Sequence, residues 1–201
     1  MQPSALFILA LFVLLGARNG AGSMGQGALF ALMVFGSILV HELGHAFLGR
    51  ANGLGHIDIT LHGFGGFTRF ERPPAPRQGL VVTFAGPAAS LLLGVVALVA
   101  SWFLGPGLPD LLATNAARIN LFWGVFNLLP MYPLDGGLLT WHGLSLVIPR
   151  ARALQWAARV GVLVAVAVGT YAVVFQEIFI GIIALMSLAQ TVPLAIERER
   201  H

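Results

Sequence analysis

From Leu80 to Leu104 the sequence runs without one charged side chain. A helix of that length exceeds the bilayer's hydrocarbon core, about 30 Å at about 1.5 Å of rise per residue, and such a stretch reads as a membrane span. The rest of the chain is of the same kind: 57% of the side chains are hydrophobic and 9% charged, with a mean hydropathy of +0.86. A soluble core of this size needs far less apolar material, so the sequence implies an integral membrane protein that crosses the bilayer several times.

Six segments qualify or nearly qualify as spans: residues 5–15, which are short, then about 28–48, 80–104, about 119–134, about 157–175, and 178–196. Residues 5–15 fit either a short first span or the core of a secretory leader; the span is the preferred reading, because no basic residue precedes them and no clear cleavage site follows. Every basic residue is an arginine. Arg50, Arg69, Arg72 and Arg77 follow the second segment, Arg150, Arg152 and Arg159 separate the fourth from the fifth, and Arg198 and Arg200 end the sequence. Only Arg18 and Arg118 fall in loops of the other parity. The excess of positive charge on one side predicts a multi-pass plasma-membrane protein with both termini in the cytoplasm, and it explains the net charge of +3 without nucleic acid.

Between the second and third segments Ile57, Ile59 and Leu61 alternate with Asp58, Thr60 and His62, Gly63-Phe64-Gly65-Gly66 supplies a turn, and Phe67-Thr68-Arg69-Phe70 returns. This predicts a β-hairpin, either a plain connection lying on the membrane or an edge that accepts an extended peptide as an added strand. The expected architecture is an all-α membrane protein of about six transmembrane helices with that hairpin between the second and third. Its 201 residues form one integral-membrane domain with a core at about 28–145.

Two ionisable clusters interrupt the apolar pattern. His41-Glu42-Leu43-Gly44-His45 closes the second segment. Histidines at i and i+4 share a helix face, where both rings can reach one zinc ion, and Glu42 beside the first can serve as general base toward an attacking water. Asn127-Leu128-Leu129-Pro130-Met131-Tyr132-Pro133-Leu134-Asp135-Gly136-Gly137 closes the fourth. On the arginine-derived topology both segments run inward, which puts Asp135 and the two histidines alike in the cytoplasmic half of the bilayer. With no cysteine in the chain, a metal must be held by His, Asp or Glu. His41, His45 and Asp135 would complete the three protein ligands that a catalytic zinc keeps beside an open position, and the chemistry that follows is peptide-bond hydrolysis. The plainer alternatives are a metal-free histidine pair and an ordinary Asp-Gly turn ending a helix.

These two motifs, with Gly86-Pro87-Ala88-Ala89-Ser90 between them, resemble the site-2 proteases, a family of intramembrane zinc metalloproteases. The resemblance covers about residues 28–145. It implies one zinc held by His41, His45 and Asp135, Glu42 as the base, Asn127 contacting substrate or polarising the scissile carbonyl, and membrane-protein substrates cut within a transmembrane segment. Ser90 departs from the pattern, since relatives commonly carry Asn there, and no PDZ or CBS domain is apparent. Other classes open to the sequence are a silent relative that binds membrane proteins without cutting them, against which the intact Glu42 argues, and a metal transporter, against which the dissimilarity of the two polar clusters argues. His56, His62 and His142 are weaker ligand candidates, His142 as a partner behind a ligand, and Trp102, Trp123, Trp141 and Trp156 read as interfacial or packing aromatics.

Overall fold

The computed structural model describes residues 21–62 and 65–196. Its elements are helix α1 (Ala21–Ala51), strands β1 (Ile57–His62) and β2 (Gly65–Phe70), and helices α2 (Pro76–Ser101), α3 (Leu108–Asn127), α4 (Asp135–Leu144), α5 (Arg150–Val174) and α6 (Ile178–Ile196). The expected first span lies outside the described residues. Among the described residues four helices, α1 from Gly25, α2, α5 and α6, are long and apolar enough to cross a membrane. Large apolar side chains stand exposed along them, among them Leu92 and Val96 on α2, Leu163 and Val173 on α5, and Leu185 on α6. Lipid, and not water, is the solvent that such surfaces fit, and the chain is a membrane protein.

The described residues divide into two compact units, those up to 73 with 85–124, and 74–84 with those from 125 onward. In the first, α1, α2 and α3 approach each other through small residues. A side chain at Gly44 would meet the Ala85 carbonyl and the Ala89 methyl, one at Gly94 would meet Leu121, and one at Gly124 would meet Leu91. Small residues at such crossings let helix backbones come close, which is how helices associate where no water drives them together.

A Schellman turn ends α1: Leu54 N–H donates to the Gly49 carbonyl and Gly53 N–H to that of Arg50, at 3.1 Å each, with Gly53 at φ +71° and Leu54 buried. The chain then folds back as the expected hairpin, β1 and β2 pairing antiparallel from Ile57 opposite Phe70 to His62 opposite Gly65. Both strands pack on α1. The Phe70 ring fills the space beside Gly49, two helical turns beyond Glu42. Those two turns, about 10 Å, match about three residues of extended chain, so β2 reaches Glu42 in turn.

In the second unit α5 packs against α4 and α6 around Phe126, Met131, Ala165 and Ile183. Here the structure corrects one sequence boundary. The expected fourth span, 119–134, is not one helix: α3 begins at Leu108, carries Asp110 and Arg118, and stops at Asn127. Residues 128–134 are irregular, with a cis bond between Tyr132 and Pro133, and Asp135 opens a separate short helix. Pro130 and Pro133 cannot continue the helical hydrogen bonds, which is the physical reason for the break. Gly136 and Gly137 are glycine because the irregular segment doubles back on them; a side chain at Gly136 would run into the carbonyls of Leu128 and Leu129.

Candidate metal centre

His41, Glu42 and His45 are all buried on α1, with relative exposures of 3%, 5% and 7%. Their ligand atoms lie within 4.8 Å of one another, the one such group of three among the described residues. The two imidazoles meet edge to face, with centroids 4.9 Å apart at 78°. Gly86 of α2 makes this possible. A Cβ there would collide with His45 Nε2 and come within 2.7 Å of His41 Nε2, so both Nε2 atoms converge over the one residue that has no side chain.

The opposite edge of His41 is held in place. Its Nδ1 lies 3.0 Å from Ser90 Oγ, one helical turn beyond Gly86 on α2. A hydrogen bond at Nδ1 orients a ring and leaves Nε2 for a metal. Glu42 is held from the other direction by β2. Thr68 Oγ1 donates to Glu42 Oε2 at 2.6 Å, and Gly66 packs on the Glu42 side chain. Two imidazole nitrogens aimed at one point, with a carboxylate nearby, form a donor set that fits zinc, and the bare backbone at Gly86 is the cradle that leaves room for it.

Asp135 lies in the second unit, half-buried in the first turn of α4, and Asn127 is buried at the last position of α3. His56 is exposed and paired with Asp58 at 3.2 Å, away from any metal-binding group among the described residues. His142 is buried on α4, stacked on Trp141 with centroids 4.8 Å apart, and its ring fills the space beside Gly79. Burial, and secondarily the Arg150 guanidinium, lower its pKa to about 4, so it is neutral at physiological pH. Sequence reasoning missed Thr68 and Gly66, and it noted Ser90 without its tie to His41. The alternation of the hairpin does put Gly66, Thr68 and Phe70 on one face, but nothing in it says that this face meets α1.

The model of peptidase family M50 matches residues 29–112, which include the HELGH cluster, the hairpin and the Gly86–Ser90 segment. Rip3 of Mycobacterium tuberculosis is 37% identical over 182 residues, covering 81% of this chain and 45% of its own length. Zinc metalloprotease MJ0392 of Methanocaldococcus jannaschii is 33% identical over 159 residues, covering 77% of this chain and 45% of its own. The chain thus spans about half the length of these relatives. Among solved structures, the site-2 protease from Methanocaldococcus jannaschii superposes with a TM-score of 0.74 at 24% identity, over 98% of this chain and 90% of that one, and shares the fold. Matched by the family model across the HELGH cluster and the hairpin, and 37% and 33% identical to these two relatives over about four fifths of its own length, the chain belongs to peptidase family M50.

Proposed function

We propose that this chain is a zinc endopeptidase that hydrolyses peptide bonds of membrane proteins within or near their transmembrane segments. The observation that carries the reading is the buried convergence of His41 and His45 Nε2 over Gly86, with Glu42 between them in sequence, on a helix apolar enough to cross the bilayer. Ionisable groups in such a helix are expensive to place there, so their presence marks a functional site.

In this reading His41 and His45 hold one zinc, and Asp135 supplies the third protein ligand that a catalytic site requires. Zinc, when bound, acts as a Lewis acid that makes water a nucleophile near neutral pH. Glu42 takes the proton from the attacking water and returns it to the leaving amine. Ser90 holds the His41 ring by Nδ1, and Asn127 contacts the substrate backbone. The outer edge of the hairpin offers strand-like hydrogen bonds to a segment that has lost its helical ones. The arginine asymmetry supports a plasma-membrane protein with the site in the cytoplasmic half and both termini cytoplasmic, and residues 28–145 act as the catalytic core of one domain.

The test is Glu42→Gln in the purified protein, with metal analysis and cleavage of a panel of single-span substrates. The amide keeps the shape but cannot accept the proton, so cleavage should fall by roughly 10²- to 10⁴-fold with about one zinc per chain retained. Cleavage that survives the substitution, or a wild-type protein that takes up no zinc, rejects the reading.

A further inference from the structure

β2 presents alternate residues to α1, and two of them meet the same side chain. Gly66 lies against Cγ, Cδ and Oε1 of Glu42, while Thr68 Oγ1 donates to Oε2 at 2.6 Å. The same hydroxyl is 3.3 Å from the Glu42 carbonyl, but it has one proton, and the shorter contact to the carboxylate is the stronger. Phe70, next on this face, packs on Gly49, while Phe67 and Arg69 point outward and are exposed. The strand therefore grips α1 at two points, and one of them is Glu42.

A glutamate side chain has three rotatable bonds, and a base must be held near one geometry to act on a proton. Among the described residues the hydrogen bond to the Glu42 carboxylate comes from β2 and not from α1. We propose that Thr68 is a positioning residue for Glu42: its hydroxyl pins Oε2, the missing side chain of Gly66 admits the rest of the carboxylate, and together they hold the base in a single orientation with Oε1 left to take the proton. This rests on the reading of Glu42 as the base.

The pairing of the strands extends the role. His56 and Glu71 form a hydrogen-bonded pair, Glu71 N–H donating to the His56 carbonyl at 2.9 Å. In an antiparallel ladder such pairs alternate with non-bonded ones, so Asp58 with Arg69 and Thr60 with Phe67 are bonded in turn. Thr68, opposite Ile59, then directs its own N–H and C=O away from β1. The residue that holds the base also faces the open edge of the hairpin, so a peptide pairing there bonds to the backbone that carries the hydroxyl.

The experiment uses the full-length, zinc-loaded protein and a single-span substrate that wild type cleaves. Thr68→Val keeps the β-branched shape and removes the hydroxyl. It should lower kcat by roughly 10- to 100-fold, with KM changed less than about twofold and zinc content unchanged. Thr68→Ser, which restores the donor, should return kcat to within about threefold of wild type. Gly66→Ala, whose methyl displaces the Glu42 side chain, should repeat the kcat loss with zinc retained. The assignment is overturned if Thr68→Val turns over like wild type, if its loss lies in KM or in zinc content, or if Ser and Val fall together. Those results leave the protease reading standing, whereas a wild-type protein that cuts no substrate removes both.

Discussion

Two glycines of α2 lie beneath buried histidines, and only one of the two places can hold a metal. At Gly86 the space is taken by the Nε2 atoms of His41 and His45 together; at Gly79 it is taken by the single ring of His142. The His41 ring is tethered through Nδ1 to Ser90, while His142 Nδ1 has no hydrogen-bond partner among the described residues. The nearby charges differ as well: Glu42 accompanies the first pair, and the Arg150 guanidinium disfavours positive charge at the second. Burial and a glycine cradle are therefore not sufficient. A cation site needs converging donors, a partner that turns each ring, and anionic rather than cationic company.

The sharpest way to break this comparison is to fill both cradles. Gly86→Ala places a methyl where two imidazole nitrogens converge, and the backbone of a packed helix cannot move aside for it; zinc content should fall well below one per chain, and cleavage with it. Gly79→Ala displaces only the His142 ring. It should destabilise the fold by about 1–3 kcal/mol, read as a lower Tm in detergent, while zinc content is retained. Equal zinc loss in both variants would mean that the two glycines serve packing alone. Ser90→Ala is gentler, since it leaves the ring in place but frees its orientation; zinc affinity should weaken by roughly 10- to 100-fold in a chelator competition. An unchanged affinity would show that α1 alone orients His41.

The same contrast marks how far the sequence could be read. The span at 178–196 is a largely apolar run without a charged side chain, and α6 covers it. The HELGH spacing shows that two rings share a helix face, because i and i+4 are adjacent on any helix. The hairpin is legible from the alternation of Ile57, Ile59 and Leu61. Span four misleads because hydrophobicity continues through Leu128 and Leu129 after the helix has stopped, and apolar content does not register the direction of the backbone. The ties of Ser90 to His41 and of Thr68 to Glu42 join residues 49 and 26 positions apart, and no local pattern announces a contact between separate elements. His142 reads from sequence as a partner behind a metal ligand, whereas its surroundings make it a packed neutral ring.

That neutrality yields the smallest expected effect and the cleanest test of the second cradle. His142 titrates near 4 in the folded protein, against an ordinary value of 6.5, because burial and Arg150 both oppose its charge. Between those two values the unfolded chain binds a proton that the folded chain refuses, so folding stability rises with pH across the window. Its contribution is fully present above about 6.5, declines as the pH falls toward 4, and is constant below that. His142→Gln, which cannot titrate, should remove this part of the acid sensitivity. Thermal unfolding in detergent from pH 7 to pH 4 should show wild-type Tm falling more steeply than that of the variant, with the difference confined to this interval. Parallel curves would mean that the folded protein accepts the proton after all, and the distinction between a packed histidine and a metal-ready one would then rest on Ser90 and convergence alone.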